Sequence, residues 1–486
     1  MMSARESHMT QSDFFSWNME QDPVLRSTIV AIVVLDKTPD WDRFVTMMDR
    51  ATRVVPNFRH KLVPARFGWA PPHWVVDPDF DLSWHLRHLA LPEPADLDAV
   101  LEVARRCGME AFDGDRPLWQ FTLLDCLAYG KAALVLKVHH SLTDGIGGIR
   151  IAAEIVDFAR EGTDRGPLPD SPRATSMNAL ADTVQWDLET GAELARKGVT
   201  AIVPTVRRAL LNPFRTVQAA ASTAIAVVRF ARPIPNTFSP VMTQRSLQRR
   251  FAVIDVPVAE FHQASRRAGS SINDAFLAAL LLGLSKYHDL HHVEVDQLRV
   301  TVPVNLRTEA DRIGGNRITL VRLALPANVS DPAELMHRIS KLIDTLRHDP
   351  AVPLSNAIAG AVNLLPTSYL ASVFKHVDFI ASNVPGSPVP MYVAGAEIER
   401  YYAFGPTLGT ALNVTLMSHN GTCCVGINAD TASVPDLSVM IECLMAGFHS
   451  VLAVGTEASF AKTDLTPSWG SRGVVGPGRP ETANRR

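Results

Sequence analysis

Apolar and polar positions follow two rhythms along this chain. STIVAIVVL (27–35) is a β-branched apolar run, as expected of a buried strand. From Asp40 to Val55 the spacing changes: Trp41, Phe44, Met47, Met48 and Ala51 recur at three and four, which predicts an amphipathic helix. Residues 96–111 repeat that pattern with Leu97, Val100, Leu101, Ala104 and Met109. WQFTLLDCL (119–127) and KAALVLKV (131–138) are short apolar runs on either side of AYG, a hairpin signature. A further helical stripe follows at Ile146, Ile149, Ala153, Val156 and Ala159.

The rhythm then breaks twice. EGTDRGPLPDSPRATS (161–176) is a Pro/Gly/Ser-rich loop, and ARPIPNTFSP (231–240) is a second cluster of turn formers. Between them, 177–231 is Ala-rich and helix-like, interrupted by Pro204 and Pro213. Beyond it the pattern resumes with strands at 251–258, 298–306, 316–325, 377–384, 411–418 and 422–429. SINDAFLAALLLGLSKY (271–287) reads as a buried helix and 435–452 as a closing one. The expected organisation is therefore a first domain over 1–160, a helical linker over 161–245, a second domain over 246–462 and a disordered tail over 463–486.

Composition narrows the class. At 486 residues the chain exceeds what one core organises well, so two α/β domains are expected. A formal net charge of -3 gives no global attraction to nucleic acid or an anionic membrane. Cys107, Cys126, Cys423, Cys424 and Cys443 are scattered and odd in number, and read as small hydrophobes in a reducing compartment. The start, MMSARESHMTQSDFF, has no apolar signal core, and TVQAAASTAIAVV (216–228) is too short to span a bilayer. A cytoplasmic location follows as the expectation, with peripheral contact to the inner membrane or lipid droplets left open.

The chemistry concentrates in KVHHSLTDG (137–145), between a strand end and a helix start. Successive strand residues point to opposite faces, so only one of His139 and His140 can enter a given cavity. Asp144 can fix the turn and Gly145 lets the backbone bend. A neutral imidazole suits removal of a proton from an alcohol attacking an activated carbonyl. HDLHHVEV supplies an internal control: His291 and His292 are adjacent but lack the Asp-Gly, and with His288 read as a surface loop rather than a metal site. No metal is expected. GIGGIR (145–150) lacks the third glycine of a dinucleotide loop, and no Walker A, HExxH or GxSxG occurs.

HHSLTDG resembles the HHxxxDG motif of CoA-dependent acyltransferases. Together with DRPLW (115–119), SINDAFLAAL (271–280), VPVNLR (302–307), GGNRIT (314–319), SNVPG (382–386) and ALNVTLMSHNG (411–421), it resembles the bacterial wax ester synthase/diacylglycerol acyltransferases from about residue 10 to about residue 455. The resemblance implies two chloramphenicol-acetyltransferase-like α/β sandwich domains with an active-site tunnel between them. It makes His140 the general base and His139 its support, and has Asp144 orient the loop through an arginine, with Arg59 first choice and Arg307 second. Asn273 and Asp274 match the family's Asn-Asp motif, with helix capping as the plain reading; Asn273 is the candidate oxyanion group and Asn383 a candidate substrate contact. Asn305 stands where the family often has Ser.

The expected reaction transfers a long-chain acyl group from acyl-CoA, a substrate rather than a cofactor, to diacylglycerol and in addition to fatty alcohols. Two alternatives stay open: acyl transfer to another hydroxyl or amine acceptor, as in polyketide-associated enzymes, and a lipid-binding protein of a membrane or droplet surface, suggested by the Arg-studded 177–231 segment.

Overall fold

The run 27–35 forms β1 (Thr28–Leu35), buried almost throughout because both its edges and both its faces are covered. In the computed structural model the described residues are 9–64, 71–142, 152, 154–171, 234–305, 318–347, 363, 369, 372, 375–455 and 464–466. β1 pairs antiparallel with β6 (Ala132–His139), in a register that sets Thr28 opposite His139. β6 pairs in turn with β5 (Trp119–Asp125), and β5 with β4 (Leu86–Ala90). The AYG between β5 and β6 is a 3-10 turn in which Tyr129 takes φ 64. A small hairpin of β2 (His60–Val63) and β3 (His73–Val76) lies apart.

Alternation splits the apolar side chains of β1 between two cores. Val33 and Leu35 pack with Phe44, Met47 and Met48 of a helix over Trp41–Val54. Val30, Ile32 and Val34 face Leu97, Val100 and Ala104 of a helix over Leu97–Met109. The first helix is capped by Asp40, which accepts from the Arg43 amide at 3.0 Å, and the second by Asp96, which accepts from that of Ala99 at 3.0 Å. We call these helices α2 and α4; α1 is Gln11–Met19 and α3 the short Leu82–His85.

The second sheet runs β7 (Arg249–Pro257), β14 (Thr422–Asp430), β13 (Leu412–His419), β10 (Phe379–Val384), β8 (Gln297–Asn305) and β9 (Ile318–Pro326). Its helices are α5 (Val258–Arg267), α6 (Ile272–Leu290), α7 (Pro332–Arg347) and α8 (Leu437–Leu452). Helices α6 and α8 touch at backbone distance, since a Cβ on Gly447 would lie 2.1 Å from the Ala279 carbonyl oxygen.

One segment crosses between the halves. β11 (Tyr392–Val393) and β12 (Ala396–Phe404) belong by sequence to the second half but complete the first sheet, with β12 antiparallel to β1. From there Tyr402 donates its hydroxyl to Asp255 of β7 at 2.7 Å, and Arg400 Nε reaches the other carboxylate oxygen at 2.6 Å. Phe404 stacks on Phe251 at 4.2 Å. Gly426 lets β14 approach β12; a Cβ there would sit 2.2 Å from the Ala403 oxygen. A cavity of about 360 Å³ opens along this seam, lined in part by Arg26, Thr28, Val30, Arg249, Phe251 and Phe404.

Several expectations need revision. The helix expected to reach Ala159 stops by Ile155, since Asp157 leaves it to bridge Tyr392 of β11. Cys126 is exposed rather than buried, whereas Cys423 and Cys424 face two different cores as neighbours in a strand must. Burial pushes both those thiols up to about 12. Within the expected tail, Leu465 is buried and accepts from the Asp255 amide at 3.0 Å. The segment 177–231 lies outside the described residues.

Candidate active site

The two histidines at the end of β6 are held by different means. His139 is the last strand residue, wholly buried, on the face it shares with Thr28, Val30 and Lys137. Its amide donates to Leu118 O at 3.0 Å. The Ser141 amide and hydroxyl converge on its Nδ1 at 3.2 and 2.7 Å. An N–H aimed at Nδ1 leaves the ring proton on Nε2, which lies 3.4 Å from a Glu20 carboxylate oxygen. Trp17 and Phe112 meet the ring edge-on, at 5.8 and 5.9 Å.

His140 opens a 3-10 turn over His140–Leu142, which throws its side chain off the strand alternation. Its amide donates to Ser27 O at 3.0 Å. The residue is half-buried. Burial, reinforced by the neighbouring His139, pushes its imidazole down to about 4, so the ring is neutral at physiological pH. Such a ring can accept a proton. Two residues before His139, Lys137 is also buried, with its ammonium on Glu110 O at 2.9 Å and 4.5 Å from the Phe112 ring centre.

A family model for the wax ester synthase/diacylglycerol acyltransferase catalytic domain matches residues 9–276, and one for the WS/DGAT C-terminal domain matches 314–451. The chain belongs to this family. It is 38% identical over 450 residues to a Mycobacterium tuberculosis protein named "putative diacylglycerol O-acyltransferase", covering 91% of each chain. A second relative from that organism, bearing the same name, is 27% identical over 464 residues, covering 90% of this chain and 94% of the other. In structure the chain is similar to the wax ester synthase/diacylglycerol acyltransferase of Marinobacter aquaeolei, with TM-score 0.60 and 21% identity over 93% of this chain and 100% of that one. It is also similar to the starter condensation domain of rhizomide synthetase, with TM-score 0.58 and 15% identity over 94% and 96% of the two chains. The protein is thus an acyl-CoA-dependent acyltransferase of the WS/DGAT family, acting on an acceptor alcohol, with the α/β sandwich fold of these enzymes.

Other motif residues take varied places in this WS/DGAT chain. Asp274 is spent on a capping box: its carboxylate accepts from the Ser271 amide at 2.9 Å, while Ser271 Oγ accepts from the Asp274 amide at 3.2 Å. Asn273 is half-buried at the second position of α6. Asn383 is half-buried near the end of β10, paired with Leu416, and the turn after it places the Gly386 amide 3.1 Å from Ser418 Oγ. Arg59 holds Asp49, Thr52 and Ser171. Asp144, Gly145 and Arg307 lie outside the described residues, as does the side chain of Asn305. Leu118 and Trp119 of DRPLW are packing residues; Trp119 donates to Phe58 O at 2.9 Å, and the Leu118 carbonyl anchors His139.

Sequence reasoning missed Glu20 and Ser27. Glu20 is the C-cap of α1, and its carboxylate accepts from the Ser27 amide at 2.9 Å. Nothing about NMEQDP distinguishes it; only the packing of α1 against the 3-10 turn does. HDLHHVEV is not a surface loop throughout. His288 is fully buried, bonded to Ser239 and Leu284 O, while His291 rests on Tyr287 at 4.5 Å. His292, at φ 57, ends α6.

Proposed function

We propose that this acyltransferase makes triacylglycerol by moving a long-chain acyl group from acyl-CoA to diacylglycerol, takes fatty alcohols as secondary acceptors, and uses His140 as its general base. The observation that carries the base is the half-buried, neutral imidazole set off the end of β6 by its own amide bond to Ser27. The names borne by the M. tuberculosis relatives support diacylglycerol as acceptor.

In this reading His140 takes the hydroxyl proton as the acceptor oxygen attacks the thioester carbonyl. The tetrahedral oxyanion collapses, the C–S bond breaks, and the departing CoA thiolate recovers the proton from the imidazolium. No cofactor enters the balance. Base catalysis of this kind contributes ~10²–10⁴-fold. Asn273 is the candidate donor to the oxyanion, worth ~2.7–4 kcal/mol where such a donor is well placed. The substrates are lipids, so the proposed place of work is a cytoplasmic membrane or droplet surface.

The test is product analysis with labelled palmitoyl-CoA and competing diacylglycerol, hexadecanol and polar alcohols, for the wild type and His140→Ala. Triacylglycerol should dominate in the wild type and disappear in the variant. Dominant esters of polar alcohols overturn the acceptor; undiminished product from the variant overturns the base.

A further inference from the structure

The structure assigns Glu20 as a positioning residue for His140, holding both motif histidines through a single carboxylate. Oε2 of Glu20 accepts from the Ser27 amide at 2.9 Å, and the carbonyl of that same Ser27 accepts from the His140 amide at 3.0 Å. One carboxylate thus holds the amide of the residue whose carbonyl, across its Cα in the next peptide unit, accepts from His140. The same Oε2 faces His139 Nε2 at 3.4 Å. That distance is short of an aligned hydrogen bond, and among the described residues neither His139 Nε2 nor Glu20 Oε1 has a hydrogen-bond partner. Buried polar atoms left this way are uncommon and costly.

The surroundings leave little freedom to the carboxylate. Arg26 Nε lies 3.8 Å from Oε1, and the Arg26 guanidinium is itself tied to Met109 O at 2.7 Å. Ser27 Oγ bonds Ser16 O at 3.2 Å, fastening the start of β1 to α1. Lys137 is a buried cation on the face of β6 where His139 sits. When His140 accepts the hydroxyl proton, a cation forms in a buried site beside a second imidazole. An anion fixed next to that second ring offsets part of the cost, and it does so without touching substrate.

This inference rests on the reading of His140 as base, and the experiment separates the two. Glu20→Gln, Glu20→Asp and His140→Ala are compared with the wild type for kcat, for KM of both substrates and for thermal unfolding. Glu20→Gln keeps the size and an oxygen for Ser27 but loses the charge. It should lower kcat by about tenfold to a hundredfold with both KM values within about twofold and the unfolding midpoint little changed. Glu20→Asp should recover most of that loss. Unchanged kcat in Glu20→Gln overturns the assignment, as does a loss in which KM and the midpoint move in proportion or which Asp fails to restore. Undiminished turnover in His140→Ala overturns the base reading instead, whatever the Glu20 variants do.

Discussion

Among the described residues, two places bring a buried histidine to 2.7 Å from a serine hydroxyl, and they are built to opposite ends. In the second half, Ser239, His288 and Asp378 are all fully buried. His288 Nδ1 faces Leu284 O at 2.7 Å and must donate to it, so Nε2 accepts from the Ser239 hydroxyl. Ser239 Oγ accepts in turn from the Met242 amide at 2.9 Å. Asp378 ignores the histidine and takes the Ser239 and Arg299 amides, at 3.0 and 2.7 Å. Serine, histidine and aspartate are thus gathered without the order of a hydrolase triad, in which the carboxylate orients the imidazole. Every ring nitrogen there is used. At the end of β6 the serine likewise fixes a tautomer, but Nε2 of His139 stays short of a full bond and His140 is left half-buried beside it. Residue types alone do not separate the two places; the bonding of the His139 and His288 ring nitrogens does.

Exchanging the two histidines for alanine should separate them most clearly. His140→Ala should lose ~10²–10⁴ in kcat with a small change in unfolding midpoint. His288→Ala should do the reverse. It strands the Ser239 hydroxyl proton, at about 1–3 kcal/mol for a buried donor left unsatisfied, and adds the cost of the cavity left by the ring, while turnover per folded molecule stays near wild type and the Leu284 carbonyl keeps its helical bond. Parallel thermal melts and active-site-normalised rates measure both. A catalytic loss in His288→Ala without loss of stability would erase the distinction. A smaller effect of the same kind is expected of Asp378→Asn, which can still accept one of the two amides but sets an NH₂ against the other. It should cost about 1–3 kcal/mol and leave kcat alone.

The same contrast explains what could be read from the sequence. β1, β5, β6, α2 and α4 were legible because each buries one or both faces against its own neighbours, so periodicity reports burial directly. β12 was not. AEIERYYAF carries Glu397, Glu399 and Arg400 through its middle, and their reasons lie in distant segments: Arg160 for Glu397, Lys131 for Glu399 and Asp255 for Arg400. No local pattern predicts that a strand from beyond residue 390 completes a sheet begun at residue 28. The motif histidines were found through their spacing to Asp144 and Gly145, whereas Glu20 reaches His140 through a backbone amide, which leaves no side-chain signature in sequence. Asn273 and Asp274 looked alike in sequence; α6 commits Asp274 to its cap.

Acid provides the finest discrimination between the two histidines. Both are held neutral, since burial lowers each imidazole, His140 to about 4. A group whose pKa falls on folding binds more protons when unfolded. Its contribution to stability is therefore complete above the unfolded value near 6.5 and is lost as pH falls toward the folded one. Each such histidine can cost at most about 1.4 kcal/mol per pH unit inside that window. Between pH 7 and 5 the unfolding midpoint should drop, and His288→Gln should reduce that slope while lowering the midpoint at neutral pH. The kcat/KM per folded molecule should stay level over the same range, because protonation of His140 in the free enzyme waits until about pH 4. If normalised kcat/KM instead falls with an apparent pKa near 6, His140 is more solvated than its place at the end of β6 indicates, and the difference between the open turn and the sealed knot lies in hydration rather than in bonding.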